Sequence, residues 1–391
     1  MKENTNTNKA VAPIIILSLF FMTTVFSIFA NAGWGAGNDA EPELMTFEYT
    51  QLPVDVSGNH VSGNDAKVQA ASATVSGGNA GNPVYTYPVP GYDFTTDEIT
   101  VRIEGLERDY TIAFVNDLHL IMDHESGDVT EDNLPLVENR YQTLAMTEEG
   151  VPAEELWPEV INYLNYNDFD AVIFGGDLLD YCSNSNIMAL NAELKRLKYP
   201  ADRVMYLRSD HDYGGWYGGG GFTDSDGMRL QTLVLDGDEP NKCIEFDDLM
   251  IVGINKSYRN ISAEAHQFIR EKLNQDKPVI LATHVPFYSK VDDSLKQESM
   301  QVRNRIYYWS HDNGVYLPNK ETTELIDEMY AGDSKVVQIV AGHLHAKWDG
   351  NVTATIREHI FAPTFEGKIG IIHVVGESVE EGTEMQTKDA D

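Results

Sequence analysis

Five short clusters carry the residues that could do chemistry: Asp117-Leu118-His119, Gly176-Asp177-Leu178-Leu179-Asp180, Ser209-Asp210-His211-Asp212, His284, and Gly342-His343-Leu344-His345. All offer carboxylate oxygen or imidazole nitrogen. Hard and borderline divalent cations take such donors, whereas softer metals call for thiolates. An acid placed between two cations can bridge them. A pair roughly 3.5–4 Å apart clamps both oxygens of an in-line phosphoryl displacement and acidifies a bound water. The chemistry open to this set is therefore metal-assisted attack by water, phosphoryl transfer included.

Each cluster sits just after an apolar, strand-like run: residues 110–115, 171–174, 203–207, 278–283 and 335–340. The second of these, Ala171-Val172-Ile173-Phe174, breaks at Gly175-Gly176 and delivers Asp177, which is how a buried parallel strand ends. Open α/β sheets place their chemistry at that edge. Any one cluster alone has an ordinary reading. His284 could be a core histidine, His343 and His345 polar edge residues, and His211 the partner of Asp212. Five clusters in the same structural position point to one shared site. His60, His124, His266, His311, His359 and His373 carry no such motif, and Gly58-Asn59-His60 copies a metal-site tripeptide with no strand to aim it.

The remaining pattern supplies the frame. Strands are expected at 99–103, 243–246, 249–254 (a hairpin with 243–246), 352–361 and 368–375. Helices are expected at 153–164, 187–197, 263–273 and 322–330. Strands and helices alternate, then strands dominate, so a layered α/β sandwich is predicted rather than separate domains. Residues 287–320 are aromatic and polar without a clear period.

The order Asp-x-His, Gly-Asp-x-x-Asp, a Gly-Asn-His-like tripeptide, His, and Gly-His-x-His resembles the calcineurin-like metallophosphoesterase superfamily, over most of residues 97–376. The resemblance implies a four-layer αββα sandwich holding two divalent metal ions (Mn, Fe or Zn). It implies a bridging hydroxide that attacks phosphorus directly. It further implies that Asp117, His119 and His345 bind one metal, that Asp177 bridges, and that Asp210, His284 and His343 hold the second. His211 would protonate the leaving group or steady the phosphoryl oxygens, with Asp180 orienting it. Two positions depart from the pattern. Asp210 stands where the family has Asn, which lowers the charge of the loaded site from +2 to +1 and should disfavour dianionic monoesters relative to monoanionic diesters. Tyr181 stands where the Ser/Thr protein phosphatase branch has a phosphate-clamping Arg, which argues against that branch.

The chain has 391 residues and a net charge of −34, so no nucleic-acid surface or polybasic membrane contact is expected. Anionic substrates would be repelled unless bound cations reverse the sign locally. Residues 1–32 read as a signal peptide or an uncleaved N-terminal anchor, which predicts a secreted or cell-surface protein with membrane contact only through that segment. Residues 33–91 are a Gly/Ser/Asn-rich flexible linker, residues 92–376 the folded domain, and residues 377–391 an acidic tail. Cys182 and Cys243 can form only one disulfide or remain as two thiols.

The partner expected is a small phosphorylated substrate, read by loops at 123–139, 214–229 and 287–318. In the last loop Arg303 or Arg305 could clamp a phosphate. The alternatives to a hydrolase of phosphate mono- or diesters are a cell-surface binding module on the same fold with weakened catalysis, and a mononuclear site in which Asp210 pairs with Arg208.

Overall fold

The computed structural model describes residues 87–122, 129, 131–213, 241–254, 260–311 and 314–377, with the backbone of two short strands, β1 (Thr74–Ser76) and β2 (Val84–Thr86). The expected signal or anchor, loop 214–229, the acidic tail and most of the expected linker lie outside the described residues. Within the linker range β1 and β2 pair antiparallel. No helix among the described residues is long and apolar enough to cross a membrane.

Two mixed sheets form the centre. The first holds β3 (Thr95–Glu104), β4 (Tyr110–Val115), β5 (Ala171–Phe174), β6 (Val204–Tyr206) and β13 (Lys368–Glu377), in the order β3-β13-β4-β5-β6. The second holds β7 (Lys242–Glu245), β8 (Met250–Gly253), β9 (Val279–Ala282), β10 (Val336–Ala341), β11 (Trp348–Asn351) and β12 (Arg357–Ile360), in the order β11-β12-β10-β9-β8-β7. The central strands are buried on both faces, and their alternation sorts side chains between layers. Ile112, Phe114 and Ile173 face the second sheet and meet Ile251, Ile280 and Val340. Their neighbours Ala113, Val115, Val172 and Phe174 face helices.

Helices α1 (Leu134–Thr143), α2 (Ala153–Tyr166) and α3 (Asn184–Leu194) cover the first sheet. A single turn, α4 (Asp210–Tyr213), follows β6. Helices α5 (Ala263–Leu273), α6 (Ser294–Arg303) and α7 (Lys320–Met329) lie with the second sheet. In α2, Leu156, Trp157, Val160, Ile161 and Leu164 form one buried stripe at helical spacing. Ser183, Ser262 and Asn319 cap α3, α5 and α7 by accepting main-chain N–H bonds. The result is the αββα sandwich expected.

Several local expectations needed correction. The stretch 352–361 is not one strand but the turn and second arm of the β11–β12 hairpin. Thr353 Oγ1 accepts the N–H groups of Thr355 and Ile356, and that local bonding holds a turn where alternation alone suggested a strand. Helices α1 and α6 were not foreseen, because α1 buries only Val137 and α6 only Leu295 and Ser299, too few to print a period. The helix expected at 187–197 begins at its Ser183 cap and ends three residues sooner. Strands β3 and β4, though joined by a short turn, do not pair; β13 lies between them, parallel to β3 and antiparallel to β4. Cys182 and Cys243 are free thiols.

Candidate metal centre

The candidate ligands leave the ends of β4, β5, β9 and β10, and those after β4, β5 and β10 do so in strained backbone. Six non-glycine residues among those described have positive φ, and five of them are Asp117, His119, Asp177, His343 and His345. A left-handed conformation costs a side-chain-bearing residue roughly 1–2 kcal/mol, so its concentration at one spot marks a site rather than a packing solution. The surrounding structure holds it in place. Asp117 N–H donates to Gly176 O, His119 N–H to Asp177 O and Leu120 N–H to Leu178 O, at 2.9, 3.0 and 2.8 Å, which zips the β4 and β5 loops together. Glycine is required alongside. A Cβ on Gly342 would fall 2.6 Å from Asp117 Oδ2, and one on Gly176, whose φ is +96°, 2.7 Å from His284 Nδ1.

Three clusters of possible ligand atoms result among the described residues: Asp117–His119–His345, Asp177–His284–His343, and His119–Asp180–His211, which shares His119 with the first. In the first, His119 Nε2 and His345 Nε2 are 3.0 Å apart, and Asp117 Oδ1 lies 3.3 Å from His345 and 3.8 Å from His119. In the second, His284 Nε2 is 3.0 Å from Asp177 Oδ2 and 3.1 Å from His343 Nδ1. Asp177 Oδ2 also lies 4.0 Å from His119 Nε2, so this carboxylate stands between the first two clusters. Asp117 Oδ2 accepts from Asn116 Nδ2 and His343 N–H at 2.6 and 2.8 Å. Its Oδ1 is buried and, among the described residues, accepts no hydrogen bond, although a lone carboxylate oxygen in such a place is costly. An uncompensated anionic oxygen facing three imidazole nitrogens fits a cation.

Asp180 does something other than expected. Its carboxylate pairs with His119 Nδ1 at 2.8 Å and with both Arg140 nitrogens, Nε at 2.8 Å. His211 is held instead by the Asp180 main chain, Nδ1 donating to the carbonyl at 2.7 Å, while the nearer carboxylate oxygen is 3.8 Å away. Such a carboxylate–imidazole pair behind a ligating histidine fixes its tautomer and aims its other nitrogen. Asp210 lies in none of the three clusters; its Oδ2 accepts from the Tyr316 hydroxyl at 3.1 Å. Arg208, proposed as its alternative partner, lies over the Tyr206 ring.

Sequence reasoning missed the supports. Asp212 is buried and accepts the N–H groups of Asp177, Leu179 and Ser209 together with the Tyr206 hydroxyl. Ser209 Oγ binds the Asp177 carboxylate. Asn116, directly before Asp117, was equally unmarked. The signal available for Asp212 was its place in the same cluster as Asp210 and His211.

The electrostatics are those of acids crowding imidazoles. Burial alone would raise Asp117 and Asp177, but the surrounding histidines hold both far below the usual carboxylate range. Burial would likewise raise Asp180, and Arg140 and His119 override it. Burial would lower His119, yet Asp117 and Asp180 push it up to about 9. His345 goes the other way, lowered by burial to about 4 despite Asp117.

A two-sheet αββα sandwich with this ligand set at its strand ends defines a metallophosphoesterase. The profile of the calcineurin-like phosphoesterase family matches residues 110–347, more than half of the chain, and the protein belongs to that family, hydrolases acting on phosphate esters. Among solved structures it is similar to a dimetal phosphatase from Danio rerio at 11% identity, covering 66% of this chain and 89% of the other, with a TM-score of 0.40. It is similar to a purple acid phosphatase from yellow lupin seeds at 14% identity, covering 70% of this chain and 45% of the other, with a TM-score of 0.38. It is also similar to a phosphopantetheinyl hydrolase from Mycobacterium tuberculosis at 12% identity, covering 67% and 92%, with a TM-score of 0.34. A comparison with curated proteins gives no match.

Proposed function

We propose that this protein is an exported phosphoesterase that hydrolyses small phosphate mono- or diesters with two divalent cations, Mn, Fe or Zn. The observation that carries the reading is the position of Asp177 Oδ2 between His119 and His284, with Asp117, His119 and His345 on one side and His284 and His343 on the other. Asp117, His119 and His345 would hold one ion, His284 and His343 the other, and Asp177 both; Asp210 is within the same strand-end cluster and would complete the second. The ions would supply Lewis acidity and an acidified water.

The chain's own residues do the rest. His211 Nδ1 donates to the Asp180 carbonyl, so the proton that His211 exchanges is the one on Nε2. We assign to it proton delivery to the leaving oxygen. Asp180 keeps His119 in the tautomer whose Nε2 is the ligand atom. The glycines at 176 and 342 let the backbone come close enough for these groups to converge.

The test is hydrolysis of an aryl phosphate and a bis-aryl phosphodiester by the full chain, assayed with Mn²⁺, Zn²⁺ and after chelation. Metal-dependent turnover that disappears in Asp177→Ala supports the reading. Metal uptake without turnover of either substrate would favour the binding-module alternative, and one equivalent of metal per chain a mononuclear site. Export rests on residues 1–32 and is tested by fractionating cells and sequencing the mature N-terminus.

A further inference from the structure

We propose that Arg303 is the residue that grips the substrate's phosphoryl oxygens. This rests on the phosphoesterase reading and names a group within that site that the ligand motifs do not contain. Arg303 is the last residue of α6, and Asn304 turns the chain away in the left-handed region at φ 54°. The side chain thereby leaves the insertion between β9 and β10 and arrives at the metal ligands.

Two observations place it there. Its Nη2 donates to the main-chain oxygen of His343 at 3.1 Å. Its guanidinium lies 5.4 Å from the centre of the Tyr307 ring, and that ring stacks on the His343 imidazole at 4.3 Å and 14°. Arg303 is therefore positioned by the main chain and, through Tyr307, the ring of one candidate ligand.

Among the described residues its charge is uncompensated. Arg108, Arg140, Arg196, Arg203, Arg270 and Arg357 each lie within 4 Å of a carboxylate. Arg303 is half-buried, and among the described residues no carboxylate pairs with it. Its Nε–H is buried and donates to no described group. In a chain of net charge −34, a half-buried arginine without an acid beside a polyanionic ligand cluster is an unusual choice. A buried guanidinium N–H wants an anionic acceptor, and a tetrahedral phosphoryl group presents oxygens at the spacing its fork matches. Arg305 does not share these features. It is exposed; its carbonyl accepts the Ser299 hydroxyl and its guanidinium lies 5.5 Å from the centre of the Tyr307 ring.

The probe is inorganic phosphate, titrated calorimetrically into the Mn²⁺-loaded full chain and used as a competitive inhibitor of aryl phosphate hydrolysis. Arg303→Met should weaken phosphate binding by about 10- to 100-fold, the loss of one or two charge-assisted hydrogen bonds. It should raise KM by more than it lowers kcat and leave bound metal unchanged. Arg303→Lys should recover part of the affinity, and Arg270→Met, which removes a distant surface cation, should match wild type. The proposal is overturned if phosphate binds Arg303→Met as tightly as wild type, if Arg303→Met and Arg303→Lys both lose metal in proportion to affinity, or if the metal-loaded wild type binds no phosphate. Should the wild type bind phosphate but hydrolyse no ester, the phosphoesterase reading fails and the titration still decides Arg303.

Discussion

The Asp212 carboxylate accepts the main-chain N–H of Asp177 at 3.0 Å, tying the turn after β6 to the turn that presents the central carboxylate. The same side chain accepts from Ser209 N–H and Leu179 N–H at 2.9 and 3.1 Å and from the Tyr206 hydroxyl at 3.1 Å. With the Ser209 hydroxyl at 3.4 Å, five donors converge on two oxygens. An amide at this position would turn an NH₂ group toward two of them, so Asp212→Asn is not conservative. Both Asp212→Asn and Asp212→Ala should cost about 3 kcal/mol of stability. Both should also lower metal occupancy, and denaturant melts with metal analysis check the pair of effects together.

His211 is held through Nδ1 by the Asp180 carbonyl, and its cluster with His119 and Asp180 includes neither Asp117 nor Asp177. His211→Ala should therefore leave metal content intact while slowing esters with poor leaving groups by about 10²–10⁴. Esters of acidic phenols, which need no proton, should be slowed far less. Equal losses across a leaving-group series would remove His211 from proton delivery.

Asp210 puts a negative charge where the family carries a neutral amide, and it is braced by the Tyr316 hydroxyl. Asp210→Asn should raise kcat/KM for dianionic monoesters by about tenfold relative to monoanionic diesters, through the restored charge of the loaded site. Paired assays of both substrate types in the two proteins measure the ratio. An unchanged ratio means Asp210 does not set substrate charge preference.

Glu358, on β12, is fully buried; Oε1 accepts the Phe287 N–H at 3.0 Å and Oε2 meets no donor. Burial pushes its pKa up to about 8, against the pull of the Phe287 N–H. The folded value is above the ordinary one, so the folded state holds this proton longer than the unfolded chain does. The stability it contributes is complete below the unfolded pKa, near 4.3, and is lost as pH rises through about 8. Glu358→Gln should remove that loss, on the order of 5 kcal/mol across the window. The difference in melting free energy between the two proteins, followed from pH 4 to 9 in steps of about one unit, should grow in favour of the variant.

The motifs were legible because each is short and follows its own strand: Asp117 and His119 after β4, Asp177 after β5, His284 after β9, His343 and His345 after β10. Their supports were not. Asp180 was expected to orient His211 and instead backs His119, because Arg140, brought in by the unforeseen α1, draws its carboxylate that way. Arg303 stood as one of two candidate clamps until α6 and the turn at Asn304 set it beside His343. Both helices lie against the body by so few side chains that their periods were silent.

The order of residues along the chain determined by itself the donor types, their placement at strand ends and the alternation that builds two buried sheets, since periodicity and glycine turns are properties of neighbours in sequence. Tertiary structure alone decided which acid faces which imidazole. His119 and His345 meet at 3.0 Å although 226 positions separate them, and nothing local can encode that encounter. It follows from the packing of one sheet on the other, which brings the ends of β4 and β10 together.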